Sequence, residues 1–399
     1  MQLELPGQPH LTYCTNIHAG ETWADIRAAL ARHLPAIKQQ VSPGSAMGVG
    51  LRLSALAARE LAHPAALAEF RQFLGEGGFY VFTVNAFPYG SFHGERVKER
   101  VYAPDWRASE RVRFTNQVAD LLSKLAPPGL SASISTVPGA FRTEVAGEAD
   151  VARIVDGLLR AAAHLHAIRR TTGRTITLAI EPEPACFLET TQEAVRFLEE
   201  RLFAWDASAA FARLVGVSPS EAERSVRRHI GLCFDVCHSA VAFEETVPTL
   251  EAVRAAGIAV PKLQLSAALR ATGDAALFET LLGRFDDGIY LHQTVQRRDG
   301  MLTRHTDLPD AFAAARRGEA GGEWRVHCHV PVFLGQYEAL GSTQQNLREA
   351  LALCRRQEIA PHLEVETYTW NVLPDALKSH EVTGDIVREL RWVRAELGA

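Results

Sequence analysis

Short apolar runs alternate along the chain with stretches in which apolar residues return every three or four positions. These are the marks of buried strands and amphipathic helices. Strand-like runs fall at Leu11–His18, Met47–Ser54, Phe79–Phe87, Leu130–Val137, Ile176–Glu181, Gly231–Cys237, Pro261–Ser266 and His362–Thr369. Helical patterns with recognisable ends lie between them. Thr22 and Asp25 make a capping box ahead of Trp23, Ile26, Leu30 and Leu34 on one face. Pro64 suits a first helical position, Leu67, Phe70 and Leu74 a buried stripe, and Gly75 a stop. Ser218 and Ser342 are further start signals, Gly173 and Gly257 further stops, and Thr383–Leu397 the last helix.

Eight strands with helices between and after them predict a closed (β/α)8 TIM barrel as a single domain over 1–399. A doubly wound open sheet also alternates, but its first strand usually leads into a glycine-rich phosphate turn. Here that strand leaves through Asn16-Ile-His18-Ala-Gly-Glu, which is no such turn. The rhythm breaks once, between the seventh and eighth strands. Ile289–Val295 and Met301–Asp307 flank Arg-Arg-Asp-Gly, a good hairpin turn, and Glu323–Phe333 follows. We therefore expect a small β-rich insertion or lid at 286–335, over the C-terminal mouth.

Composition narrows the function classes. The 399 residues are 47% apolar, enough for a large core, and carry a net charge of −5. Nucleic acid is not expected as a partner, because it normally needs a basic face. The six cysteines are scattered without zinc-finger spacing, so they read as free, apolar thiols in a reducing compartment. Met1-Gln-Leu-Glu-Leu-Pro has neither the basic start nor the apolar core of a signal peptide, and no apolar run approaches the ~20 residues that span a bilayer. A soluble, cytoplasmic protein is expected.

Candidate chemistry collects where strands end. Gly231-Leu-Cys-Phe-Asp235-Val-Cys-His238 is an apolar run closing in Asp-x-x-His. Positions i and i+3 of a regular strand face opposite ways, so Asp235 and His238 converge only if the strand stops between them. The bland alternative is an aspartate capping the next helix and a histidine bonded to backbone. Glu181 closes another apolar run, where an ionised carboxylate without a cation is costly. Glu183 points the same way as a second ligand or a base. Glu364 and Glu366 alternate with Leu363 and Val365 on the last strand, Glu366 being nearer the mouth and Glu364 suited to a supporting role. Gln264 can offer a weaker oxygen or nitrogen ligand. His327 and His329 share one side of their segment and can reach the same centre or bind substrate, as can His18 and His93 after early strands. Tyr13, Phe87, Tyr89, Phe92, Tyr368 and Trp370 lie at or beyond strand ends and suit the wall of a pocket for a partly apolar or ring-bearing metabolite.

Asp235-Val-Cys-His238, Glu181, Gln264-x-Ser266 and Glu366-Thr together resemble the xylose isomerase-like TIM-barrel superfamily. Four longer segments make the whole chain similar to its EboE family of metabolite traffic proteins. They are His10-Leu-Thr-Tyr-Cys-Thr-Asn-Ile-His-Ala-Gly-Glu-Thr-Trp23, Asn85-Ala-Phe-Pro-Tyr-Gly-Ser-Phe-His93, Val326-His-Cys-His-Val-Pro331 and Leu363-Glu-Val-Glu-Thr-Tyr-Thr-Trp370. The resemblance implies handling of a secondary-metabolite or lipid-like precursor, with membrane proteins of the same gene cluster as partners. It also implies a divalent metal, Mn²⁺, Zn²⁺ or Mg²⁺, on Glu181, Asp235 and Glu366, with His238 on or beside it. Gln264 departs from the superfamily's frequent histidine at that strand, and fold likeness alone assigns no reaction.

Two functions follow. One is isomerase- or epimerase-type chemistry on a small polyhydroxylated or carbonyl compound, with Glu181 or Glu366 moving the proton. The other is a handover protein that binds the metabolite for export without turnover.

Overall fold

A computed structural model describes residues 1–94, 96–273, 275–319, 321–379 and 381–399. Eight parallel strands stand where the apolar runs lie: β1 (His10–Tyr13), β2 (Met47–Arg52), β3 (Phe79–Asn85), β4 (Ala132–Thr136), β5 (Ile176–Ile180), β6 (Ile230–Asp235) and β7 (Lys262–Leu265), with β14 (His362–Val365) as the last. Their order is β1-β14-β7-β6-β5-β4-β3-β2. Nearly every residue in them is buried, since helices cover the outside and side chains fill the inside. That is why these strands read as continuous apolar runs instead of alternating ones.

The seam between β1 and β2 is closed mostly by side chains. Thr12 Oγ1 donates to the Gly48 carbonyl and accepts from Gly50 N, at 2.9 and 3.0 Å. Thr15 Oγ1 accepts from Arg52 N at 2.8 Å, and Cys14 forms a parallel bridge to Gly50. Only glycine fits at position 50, because a Cβ there would stand 2.6 Å from the Tyr13 carbonyl and 1.9 Å from the Glu364 carboxylate. The result is a (β/α)8 barrel.

Local signals explain the helix ends. Thr22 and Asp25 form the reciprocal capping box of the helix Trp23–Val41, whose Leu30, Leu34 and Ile37 are fully buried. Pro64 opens the helix Pro64–Gly77, but Gly75 does not stop it. The chain continues one half-turn and ends at Gly78, which takes the left-handed conformation at φ 63°. Ser342 lies in a strand, one residue before the residue that precedes the helix Gln344–Arg356, and its Oγ accepts from Gln344 N at 3.2 Å.

Between β7 and β14 sits a second, antiparallel sheet: β8 (Leu269–Thr272), β9 (Thr294–Arg298), β10 (Met301–His305), β11 (Glu323–Val326), β12 (Gln336–Tyr337) and β13 (Leu340–Ser342), ordered β10-β9-β11-β8-β13-β12. β9 and β10 form the expected hairpin, with Asp299 and Gly300 both at positive φ. The sheet spans 269–342, wider than 286–335, because β8 leaves the barrel directly and pairs with both β11 and β13. After β11 the chain returns over the strand ends, where Val330 N bonds the Ala267 carbonyl at 2.9 Å. No helix among the described residues is long and apolar enough to cross a membrane.

Candidate metal centre at the barrel mouth

Three strand ends bring Glu181, Asp235 and Glu366 together, all buried, with one oxygen of each within 4.8 Å of the others. Glu366 Oε1 accepts from Asn16 Nδ2 at 2.7 Å and Asn85 Nδ2 at 3.0 Å. Glu181 Oε2 and Asp235 Oδ2 have no hydrogen-bond partner among the described residues. Burial first, then the neighbouring carboxylates, push Glu366 up to about 8 and Glu181 well above its ordinary value. Three such groups ionise together only beside a cation, so the unpartnered oxygens fit a metal ion.

Both readings of Asp235-x-x-His238 hold at once. β6 ends at Asp235 and a short helix, Val236–Val241, begins. Asp235 Oδ1 caps it by accepting from His238 N at 2.9 Å, and also accepts from Ser266 Oγ at 2.8 Å. That leaves Oδ2 for a cation. His238 Nδ1 donates to the Pro182 carbonyl at 2.9 Å, which fixes its tautomer and leaves Nε2 with a lone pair.

His327 and His329 follow the same rule from the insertion, beyond the end of β11. His329 Nδ1 donates to the Glu366 carbonyl and His327 Nδ1 to Gln293 Oε1, each at 2.7 Å. The Gln293 amide is oriented by its nitrogen, which donates to Glu183 Oε1 at 3.1 Å and the Pro184 carbonyl at 3.0 Å. Three imidazoles thus present bare Nε2 atoms to one region. Burial holds all three below the ordinary histidine range, His238 at about 4, so they are neutral donors near pH 7. Glu183 Oε1 accepts from Tyr102 Oη at 2.6 Å, and burial raises its carboxyl to about 7.

Glu181, Glu183, Glu366, His238, His327 and His329 line one cavity together with Phe87, Phe92 and Tyr368, and Asp235 stands behind its wall. Other expected residues stand elsewhere. Gln264 is fully buried at the level of Asp235, with neither amide atom hydrogen-bonded, yet does not line the cavity. Glu364 lies deeper, 2.5 Å from Lys262 Nζ. His18 bonds Tyr13 Oη at 3.0 Å and stacks on His33 outside the cavity wall, and His93 packs edge-on against Phe92. Tyr13, Tyr89 and Trp370 do not form the wall. Tyr89 packs on Phe114, and Trp370 turns outward to donate to Glu389 Oε2 at 3.0 Å. Conversely, Asn16, Asn85, Tyr102, Gln293 and Tyr290 belong to the mouth and were not singled out by sequence. Asn85 closes β3, and that position is the one signal that marks it.

No protein-family model and no curated protein matches the chain. Among solved structures it is similar to the IolI protein with a bound zinc atom, at 12% identity over 98% of both chains (TM-score 0.48). It is also similar to a xylose isomerase domain protein from Planctomyces limnophilus, at 14% identity over 88% of this chain and 89% of that one (TM-score 0.45). A third is the 3-keto-D-glucoside 4-epimerase YcjR from E. coli, at 10% identity over 97% and 99% (TM-score 0.46). At such identities the likeness concerns the barrel alone.

Proposed function

We propose that this protein is a metal-dependent enzyme that moves a proton on a small, uncharged, oxygen-rich metabolite, in the manner of an isomerase or epimerase. The observation that carries the reading is the buried trio Glu181, Asp235 and Glu366 with oxygens free of any protein partner. These residues would hold a divalent ion of the Mn²⁺, Mg²⁺ or Zn²⁺ class, which when bound would supply Lewis-acid chemistry, lowering the pKa of a water or of a C–H beside a coordinated substrate oxygen. Glu183 lines the same cavity with its carboxyl near neutrality, suited to taking or giving a proton. Lys98 is the cation on the described cavity wall and is already paired with Asp307, which disfavours a phosphate or carboxylate on the substrate.

The aromatic side of the cavity, where Phe92, Tyr290 and Tyr368 pack on one another at 5.0–5.2 Å, favours a metabolite with a ring or apolar portion. It also supports a second reading, retention and handover of a precursor, as the resemblance to the EboE family suggests. Candidate polyols and keto-sugars incubated with the enzyme in D₂O separate the two. The enzyme reading expects solvent deuterium at a carbon beside the carbonyl, reduced about 10²–10⁴-fold in Glu183→Gln. A co-purified ligand returned unlabelled and unchanged would leave only handover.

A further inference from the structure

The antiparallel sheet of the insertion carries a second concentration of charge, opposite in sign to the carboxylates of the mouth. Arg270 on β8 and Arg325 on β11 are directly opposite in register, and Arg325 in turn pairs with Val295, two residues before Arg297 on β9. All three arginines therefore belong to one face of the sheet, as direct or diagonal neighbours, where like charges repel. One carboxylate, Glu323, answers two of them, accepting from Arg325 Nε at 2.7 Å and from Arg297 Nη2 at 3.2 Å. Arg270 has no ion pair among the described residues. Its guanidinium lies across Gly341 of β13, where a Cβ would stand 3.1 Å from Nε.

The three arginines line one cavity with Phe243 and Thr343, and no residue of that cavity lines the mouth. Arg325 is fixed in place, because its side chain is only 13% exposed and its Nη1 donates to the Ala240 carbonyl at 2.7 Å. The Arg325 and Arg297 guanidiniums stand 4.1 and 4.5 Å from the centre of the Phe243 ring. Phe243 itself has φ 61°, a conformation usually left to glycine, so the chain accepts backbone strain where this ring meets the two cations. Thr343 Oγ1 accepts from Ala268 N at 2.8 Å, which leaves its hydroxyl proton to donate. Of the other glutamates on the wall, Glu244 accepts from Thr191 N and Oγ1 at 3.0 and 2.8 Å, and Glu349 from Gln345 Nε2 at 3.2 Å. Neither they nor Glu245 pairs with an arginine among the described residues.

We propose that this cavity binds a small phosphate-bearing anion, with Arg270, Arg297 and Arg325 as the groups that hold it. A planar carboxylate is matched by a single guanidinium. A phosphoryl group is tetrahedral and accepts from donors arriving on several sides, as they do here from three strands and from Thr343. The site stands whether or not the carboxylate trio holds a metal ion.

The full chain is titrated calorimetrically with orthophosphate, pyrophosphate, phenyl phosphate and citrate. Saturable binding of one phosphate-bearing ion per chain is expected, weakening as salt rises. Arg270 is exposed, so Arg270→Gln should fold normally and weaken binding about 10–100-fold, and Arg297→Gln should act alike. Arg160→Gln, in a surface pair with Asp156 elsewhere, should change nothing, and Glu366→Gln at the mouth should bind as the parent does. Phenyl phosphate held tighter than orthophosphate would identify a phosphate ester as the source, the reverse order free phosphate, and both uphold the site. No saturable binding, or equal affinity in the parent and both arginine variants, would overturn it. So would an equal loss in Arg160→Gln, which marks general charge attraction, or a loss confined to Glu366→Gln, which moves the anion to the mouth. Citrate bound as tightly as pyrophosphate would overturn the choice of phosphate.

Discussion

The middle of the barrel and its mouth both bury charged groups contributed by barrel strands, with opposite outcomes. Lys262 and Glu364, on β7 and β14, face each other at 2.5 Å and are both fully buried. Lys262 also donates to Ser135 Oγ at 3.3 Å. Further toward the mouth, Gln264 and Glu366 on the same chain segments meet Asp235 and Glu181, and among the described residues no lysine or arginine forms an ion pair with these carboxylates, Lys262 reaching Glu181 and Glu366 only as a longer-range attraction. Below, the protein supplies its own counter-charge. Above, it withholds one. A buried negative centre without a protein cation is a place kept for a cation from solution, and the contrast between these two levels locates the site.

The largest effect is expected from destroying the self-sufficient level. Lys262→Met strands the Glu364 carboxylate and should cost about 3–5 kcal/mol in denaturant unfolding. The doubly substituted Lys262→Met, Glu364→Leu should recover most of that loss, and divalent-ion stoichiometry should stay unchanged in both. If the single variant also lost metal, the two levels would not be independent and the comparison would fail.

At the mouth the support shell is the place to press. Ser266 Oγ holds Asp235 Oδ1 and in turn accepts from Cys237 N at 3.0 Å. Ser266→Ala removes this positioning without touching a carboxylate, and should weaken Zn²⁺ or Mn²⁺ binding about 10–100-fold with little change in folding. Unaltered affinity in a competition titration would mean that Asp235 needs no such anchor.

pH separates the levels further. Glu366 titrates at about 8 and Glu183 at about 7 in the folded chain, above their unfolded values. A raised carboxyl pKa gives stability that is complete below the unfolded pKa and is lost as pH rises through the folded one. His238 runs the other way: its folded pKa of about 4 lies below the unfolded value, so its contribution is lost as pH falls toward 4. Above about pH 7.5 the lowered histidines are neutral in both states, and the carboxyls set the slope together with His292, whose pKa burial lowers but the Asp287 carboxylate raises on balance, so that it acts in the same direction. Metal-free protein should therefore lose melting temperature between about pH 7.5 and 8.5, and added divalent ion should flatten or reverse that fall. Glu389, outside the cavity wall and raised to about 7, should leave a small slope that metal does not remove. An ion-independent profile would speak against the carboxylates as ligands.

What could be read from sequence follows the same physics. All eight barrel strands were legible because a strand covered on both faces must be apolar, and Glu181, Asp235 and Glu366 stood out as the exceptions that close such runs. Trp370 and Tyr89 were misplaced because a loop reverses direction after its strand, so position beyond a strand end does not say whether a ring faces the cavity or the outer helices. Asn16, Asn85 and Gln293 carried no signal strong enough to separate a metal-site support from a turn residue. β8 escaped notice because Leu-Arg-Ala-Thr pairs only with β11 and β13, which lie about fifty and seventy residues further along.

The smallest expected effect comes from the rim, where neither rule applies. Thr22 Oγ1 accepts from Asp25 N at 3.1 Å, and Asp25 Oδ2 accepts from Thr22 N at 3.3 Å, in an exposed capping box that opens the helix Trp23–Val41. Water can replace either partner there, so Thr22→Ala should cost only about 1 kcal/mol, the usual worth of an N-cap. Metal stoichiometry and its pH dependence should be unmoved. A loss matching that of Lys262→Met would mean that cost follows something other than whether a buried charge has its partner, since an exposed hydrogen bond would then weigh as much as a buried ion pair.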